Sequence, residues 1–112
     1  MTKKRIETRP EWEEAIRQGR KTIDARLVAD DIGELKVGDV VHYPAAKARV
    51  KQMRYYLGFR DLLAHEDWHQ IAPEATSLGD VLQLLEAGHH ETMRQTGAVA
   101  IELEPVTKQE LR

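Results

Sequence analysis

Three charged residues stand close together in the stretch from Gly19 to Arg26. Lys21, Asp24 and Arg26 supply an ammonium, a carboxylate and a guanidinium beside a glycine. An ammonium can stabilise a developing oxyanion or exchange a proton, while a carboxylate can serve as a general base or as a nucleophile. The stretch is therefore the first place in the chain at which we expect chemistry.

The elements on either side position these groups. Residues 10–18 have the features of a short helix, with a proline in the first turn, glutamates near the start and a glycine at the end. If residues 22–27 are extended, side chains alternate, and Thr22, Asp24 and Arg26 share one face. The alternative is a surface strand with solvated polar side chains, or an ion-pair cluster that holds structure without reacting.

The composition predicts one globular domain over residues 1–112. A hydrophobic content of 41% suffices for a buried core, and the absence of cysteine excludes disulfides and thiolate nucleophiles. No apolar run reaches membrane length, and acids interrupt the region that a signal peptide would need to be apolar. The sequence thus predicts a cytoplasmic protein with no membrane association, no cofactor and no evident obligate protein partner.

Charge is divided unevenly along the chain, although the net charge is only −2. Residues 1–60 contain 14 Lys and Arg against 9 Asp and Glu, whereas residues 61–112 contain 3 against 10. A basic half suits an anionic ligand such as a phosphate backbone, but charged side chains more often simply face water.

Residues 46–56 combine basic residues with Val and Tyr, a composition that predicts a strand. Nucleic-acid surfaces use cations for phosphate and rings for base stacking, so this strand is a candidate RNA interface. The candidate binding residues are Lys47, Arg49, Lys51, Tyr55 and Tyr56. The alternative is an ordinary barrel strand whose cations protect an edge from pairing.

The remaining pattern predicts an α+β fold, a mixed β-barrel of about five or six strands with about three helices. Further strands are expected at residues 5–8 and 98–103 and from the turn at Gly38 and Asp39 to Tyr43, further helices at 58–64 and 77–87, and a helical turn at 89–95. Ser77 and Asp80 form a capping box at the start of the second of these helices.

The string from His65 to His69 fits the H-E-x-x-H pattern of zinc proteases. That pattern needs both histidines on one helix and a third ligand. Pro73 cuts the segment short, and only His89 and His90 follow. We therefore predict no metal site here.

The stretch around Lys21 resembles a known signature. Gly19, Lys21, Asp24 and Arg26 match the G-x-K-x-x-E-x-R motif of the ASCH domain family, with Asp in place of the usual Glu. The resemblance extends over roughly residues 4–104 and leaves 106–112 as a tail. It implies a PUA-like β-barrel and an association with RNA or modified nucleosides.

One branch of that family consists of small amidohydrolases that cleave the acyl group from N4-acetylcytidine. The resemblance to this branch implies that Lys21 and Glu74 are catalytic, while Asp24 stands where the branch has a threonine nucleophile. Asp24 can then activate water or attack directly, Lys21 can stabilise the oxyanion, and Glu74 can protonate the leaving amine. Thr22 and Arg26 are expected to contact the substrate.

Two functions of different classes follow. The first is an amidohydrolase acting on N4-acylated cytidine or cytosine compounds; the second is a non-catalytic RNA-binding module, supported by the basic strand and the missing threonine. A ribonuclease is a third alternative. The acyl group, the choice between nucleoside and RNA, and the oligomeric state are not determined by the sequence.

Overall fold

The computed structural model describes residues 3–28, 35–87 and 97–106. These residues form five strands, β1 (Lys3–Arg5), β2 (Ile23–Leu27), β3 (Val40–Tyr43), β4 (Ala46–Tyr56) and β5 (Ala98–Pro105). They also form four helices, α1 (Pro10–Arg17), α2 (Phe59–His65), α3 (Trp68–Ile71) and α4 (Leu78–Glu86). No helix within these ranges is both long and apolar enough to cross a membrane.

The strands form one mixed sheet in the order β1-β3-β4-β5-β2. The β1–β3 pair is parallel, and the other three pairs are antiparallel. The two outermost strands, β1 and β2, are therefore the edges of the sheet.

Two contacts show that the sheet is strongly curled. The Tyr43 hydroxyl, on β3, donates a hydrogen bond of 2.6 Å to Asp24 Oδ2 on β2, although β4 and β5 lie between these strands in the sheet. Arg26 Nη2 on β2 also donates to the carbonyl of Glu7, just beyond β1. The edges thus approach each other, as in a half-barrel, and the polar groups of β2 point into the enclosed space.

Apolar side chains fill both sides of the curled sheet. One cluster lies between the sheet and the helices and includes Trp12, Phe59 and Leu85. The other lies on the concave side and includes Val41 and Ile101. Burial on both sides removes these residues from water and accounts for the unbroken apolar start of β5.

The prediction of a strand at residues 46–56 is confirmed residue for residue by β4. The helices at 10–18 and 77–87 are confirmed within one residue at each end. The predicted strand at 5–8 is wrong in its bounds, because the parallel pairing of β1 with β3 begins at Lys3. The helix count is also too low, since α3 forms a single additional turn capped by Asp67. The expected helical turn at 89–95 lies outside the described residues.

Candidate active site

The end of α1 delivers Lys21 to the interior. Gly19 has φ of +79°, a left-handed conformation that favours glycine, and the backbone N–H groups of Arg20 and Lys21 both donate to the Ala15 carbonyl. This sharp turn reverses the chain, so that Lys21 points back under the helix rather than into solvent.

Lys21 is almost completely buried, with only 1% of its surface exposed. Its Nζ donates to the carbonyl of Ile23 at 2.6 Å and to the carbonyl of Ile71 in α3. It also lies 4.5 Å from the centre of the Trp12 ring, within the range of a cation–π contact. Two carbonyl dipoles and an aromatic face thus replace the water that the ammonium loses.

Burial is the largest influence on this ammonium, and it lowers the pKa of Lys21 to about 8. The positive charge of Arg26 acts in the same direction, while the carboxylates of Asp24 and Glu74 oppose it. A group with a pKa near neutrality can exchange protons under physiological conditions, which an ordinary lysine does rarely.

Asp24 lies on the concave side of β2 and is also buried. Its Oδ1 accepts from Arg26 Nε at 3.0 Å, and its Oδ2 accepts from Tyr43. Burial by itself raises the pKa of Asp24, but the charges of Arg26 and Lys21 and the two hydrogen bonds outweigh it and hold the pKa below its ordinary value. Asp24 is therefore an anion at neutral pH. Burial and this anion together raise the pKa of Tyr43 well above its ordinary value.

The expectation that Asp24 and Arg26 are neighbours on one face is confirmed by their ion pair. The alternative of a solvated strand is wrong, because four of the five residues of β2 are buried.

A cleft of about 520 Å³ opens beside this group, a size within the range of small-molecule sites. It lies between β2, the segment after β1, and helices α1, α2 and α4. Its lining includes Arg5, Arg9, Trp12, Asp24, Ala25 and Arg26. Lys21 and Glu74 are not in the lining, and Lys21 lies behind Trp12.

Glu74 lies apart from Asp24, in the connection between α3 and α4. Its side chain is 41% exposed, and Oε1 is 3.4 Å from Arg20 Nη1. It acts on Lys21 through its charge, since it is one of the groups that raise the Lys21 pKa. Thr22, half-buried, donates to Gln70 Oε1 at 2.7 Å.

The cations of β4 face acids rather than open solvent alone. Arg49 lies 4.0 Å from Glu104, and Lys51 lies 3.7 Å from Glu102, both on β5. Lys47 is exposed. The strand therefore presents less positive charge than its sequence indicates.

The two tyrosines of β4 differ in their surroundings. Tyr55 is 63% exposed, as a stacking ring would be. Tyr56 is half-buried, donates to Glu66 and stacks on the His65 ring at 5.6 Å between centroids.

The H-E-x-x-H string does not form one helix. α2 ends at His65, Glu66 is extended, and His69 lies on α3. Glu66 instead receives two hydrogen bonds from Arg54, which lower its pKa together with the bond from Tyr56. Within the described ranges, no three His, Cys, Asp or Glu residues are grouped so as to hold a metal ion.

The sequence did not identify two members of this site, Trp12 and Tyr43. Trp12 is a buried residue of α1, and Tyr43 is the last residue of β3. Neither has a signal in the sequence, because their contacts with Lys21 and Asp24 depend on the curl of the sheet.

Comparisons with known proteins show which solved structures share this fold. No protein-family model matches the chain, and no curated protein matches it by sequence. The crystal structure of hypothetical protein PH0355 is 28% identical, covers 94% of this chain and 100% of its own length, and has a TM-score of 0.86. The solution structure of PF0455 from Pyrococcus furiosus is 30% identical, covers 94% and 98%, and has a TM-score of 0.78.

A third structure, of ASCH from Zymomonas mobilis, is 16% identical to this chain and covers 97% of it and 76% of its own length, with a TM-score of 0.62. At that identity the likeness concerns the fold. It confirms the predicted PUA-like α+β architecture.

Proposed function

From the premise that this chain belongs to the ASCH domain family, we propose that it is an amidohydrolase that removes the acyl group from N4-acylated cytidine or cytosine compounds. One observation carries the proposal: a buried lysine with a pKa of about 8 lies within electrostatic range of a charged carboxylate that lines a cleft of ligand size. Such shifted groups are enriched at catalytic sites.

The proposed roles follow from position and charge. Asp24 faces the cleft, so we assign to it the attacking water, which a carboxylate oxygen can orient through a lone pair not used by Arg26 or Tyr43. Its low pKa makes it a weak base, so it orients the water and relays its proton rather than holding it: as the water oxygen bonds to the acyl carbon and the C–N4 bond breaks, the proton lost by the water passes through the Asp24 carboxylate to N4, which leaves as the amine of cytidine. Lys21, which lies behind Trp12 in the lining of the cleft, supplies positive charge that stabilises the developing oxyanion.

For Glu74 the structure supports a role different from protonation of the leaving amine. It is partly exposed, pairs with Arg20 and is not in the lining of the cleft. Because its charge raises the pKa of Lys21, we propose that it helps to keep Lys21 protonated.

The size of the cleft supports a free nucleoside or a single extruded base as substrate. A volume of about 520 Å³ is enough for one nucleoside but not for a folded RNA. Arg5 and Arg9 in the lining suit the sugar or a phosphate at its open end.

A second candidate is binding without reaction, in which the same cleft holds a nucleoside or RNA. It is favoured by one observation: both oxygens of Asp24 already accept hydrogen bonds from protein donors. A carboxylate held in this way is typical of a structural ion pair.

The test is the incubation of purified protein with N4-acetylcytidine, followed by chromatographic measurement of cytidine. We expect turnover by the parent, and a decrease of about 100- to 10,000-fold in Asp24→Asn, the usual contribution of a positioned acid–base group. Asp39→Asn is the matched control, because Asp39 is a buried aspartate in the turn before β3, outside the cleft.

Thermal melting of each variant separates loss of activity from loss of fold. Turnover in Asp24→Asn equal to that of the parent would reduce Asp24 to a structural partner of Arg26. Binding of N4-acetylcytidine by the parent without any release of cytidine would favour the binding candidate.

A further inference from the structure

The outer edge of β2 forms part of the cleft wall. β2 is the last strand of the sheet, and only its inner edge pairs with β5. Ala25, at the middle of the strand, lines the cleft between Asp24 and Arg26.

The register of the ladder determines which backbone groups point outward. Leu103 N donates to the Thr22 carbonyl, and Val28 N donates to the Gly97 carbonyl, so Thr22 and Val28 occupy hydrogen-bonded positions opposite β5. In an antiparallel pair such positions alternate with non-hydrogen-bonded ones. Even-numbered residues of β2 therefore direct their N–H and C=O groups to β5, and Ile23, Ala25 and Leu27 direct theirs to the outer edge.

Of these outward groups, the carbonyl of Ile23 is occupied by Lys21 Nζ. The N–H and C=O groups of Ala25 are the next outward-directed groups along the strand. Within residues 3–28, 35–87 and 97–106, neither the N–H nor the C=O of Ala25 has a hydrogen-bond partner. A buried backbone donor and acceptor without a partner are rare, because each lost hydrogen bond destabilises the fold. A ligand that forms a hydrogen bond with both groups therefore binds at a preformed site.

We propose that the backbone N–H and C=O of Ala25 recognise the hydrogen-bonding edge of the nucleobase in this cleft. The ligand class is a planar ring with an acceptor next to a donor, which pairs with one extended residue as a neighbouring strand would. An N4-acylated cytosine has this arrangement, with N3 as acceptor from the Ala25 N–H and the N4–H as donor to the Ala25 carbonyl.

This inference rests on the proposed function for the identity of the base. It adds that the backbone groups of Ala25 determine which base the cleft selects. The amide nitrogen whose bond is to be cleaved would be held beside Ala25, adjacent to the carboxylate of Asp24 on the same strand. A cytosine substituted twice at N4 would lose the bond to the Ala25 carbonyl.

The experiment uses cytidine as the probe, because it is not consumed. Amide chemical shifts of the full-length protein labelled with ¹⁵N are followed as cytidine is added. We expect the Ala25 amide proton to shift downfield on saturation. Ala100 is the matched control: it is the partner of Ala25 on β5, and its backbone groups face β4 inside the sheet, so its amide should not follow.

Two modified nucleosides each lack one of the two groups that would form hydrogen bonds with Ala25. 3-Deazacytidine lacks the N3 acceptor and N4,N4-dimethylcytidine lacks the donor, and each is expected to bind about 10-fold more weakly than cytidine. Ala25→Pro removes the N–H at an edge position where proline is tolerated, and should weaken binding of cytidine similarly, whereas Ala25→Gly should not.

The outcomes for the two proposals are distinct. Hydrolysis of N4-acetylcytidine without a shift of the Ala25 amide would overturn the inference and leave the proposed function in place. A shift of the Ala25 amide with no hydrolysis would support recognition at this edge and contradict the amidohydrolase. Shifts confined to the groove lined by His42, Pro44 and Lys47, or no binding at all, would overturn the inference.

Discussion

At the scale of single residues, Lys21 is the group whose charge the fold controls most closely. An ammonium deprived of water is held by two carbonyls and the Trp12 face, and its pKa falls to about 8. Of the residues that adjust this value, Asp24 and Arg26 lie on the next strand, β2, whereas Glu74 lies far along the chain, between α3 and α4. The activity should therefore depend on pH in a way that identifies them.

We expect kcat/KM for N4-acetylcytidine to fall as pH rises through about 8, because loss of the Lys21 proton removes the positive charge that favours the oxyanion. Lys21→Met should lower turnover and abolish this limb of the profile. Lys51→Met, which alters a half-exposed lysine on β4, should leave both unchanged. An activity that instead rises through pH 8 would indicate that the neutral amine acts as a base.

Glu74→Gln provides a second test of the fall in activity above about pH 8. Removal of a charge that raises the Lys21 pKa should move the descending limb to lower pH without abolishing turnover. If Glu74 protonates the leaving amine instead, turnover should fall over the whole pH range and the limb should not move. The full pH profile distinguishes the two.

The buried pair of Tyr43 and Asp24 makes a separate prediction for stability. The folded-state pKa of Asp24 is depressed, so its contribution is present above the unfolded value, about 3.9, and is lost as pH falls through the folded value. Tyr43→Phe leaves a buried carboxylate oxygen short of a donor and should cost about 1 to 3 kcal/mol at pH 7.

In this variant, loss of stability on acidification should also begin at a higher pH than in the parent. Urea unfolding at pH 7 and at several values below pH 5 measures both effects. Tyr55→Phe, at an exposed position, is the control and should be neutral. An unchanged stability of Tyr43→Phe would show that the contact contributes nothing net.

At the scale of elements, β2 and β4 have different roles in the sheet. β2 brings Asp24, Ala25 and Arg26 to the cleft, whereas β4 pairs with strands on both sides and joins the two halves of the sheet. Arg49 and Lys51 of β4 are paired with acids of β5.

We therefore expect Lys47→Ala, Arg49→Ala and Lys51→Ala together to change the salt dependence of single-stranded RNA binding only slightly. Each phosphate contact contributes a slope of about 0.7 in a plot of log K against log salt, and two of these three cations already have carboxylate partners. Fluorescence anisotropy of a labelled oligonucleotide over a range of salt concentrations measures the slope.

Glu102→Gln with Glu104→Gln is the complementary variant. It leaves the cations in place without their partners and should steepen the slope if the strand can contact RNA at all. A slope that falls by about 2 in the triple alanine variant would locate an RNA interface on β4, contrary to expectation.

At the scale of the whole molecule, folding brings the basic half of the sequence against the acidic half. Acids of β5 and of the residue after α2 lie beside the cations of β4. The pairs are Arg49 with Glu104, Lys51 with Glu102, and Arg54 with Glu66. Exposed pairs of this kind contribute little to stability, but they reduce the long-range field. These three cations of the basic half thus have acids of the acidic half beside them.

We expect a chelator to leave both the melting temperature and the hydrolysis of N4-acetylcytidine unchanged. In the described part of the chain, the two histidines of the H-E-x-x-H string lie on different helices, and Glu66 is engaged by Arg54. Calorimetry and the cytidine assay, each with and without EDTA, provide the measurement. Stoichiometric zinc that is lost together with activity would contradict this prediction.

The sequence by itself determined the features that have local causes. Gly19 ends α1 because it alone adopts the left-handed turn easily, Ser77 starts α4 by accepting from the Asp80 amide, and alternation in β2 places Asp24 beside Arg26. The range of β4 follows in the same way from its Val and Tyr content.

Only the tertiary structure decided what these groups meet. The burial of Lys21 between Trp12 and the Ile71 carbonyl, and the bond from Tyr43 to Asp24 across a curled sheet, join residues far apart in the chain. The pairing of Glu74 with Arg20 and the outward direction of the Ala25 backbone groups likewise depend on packing and register. Local propensity specifies an element and its faces, but strand order, register and curl result from long-range packing, and these determine which groups share a site.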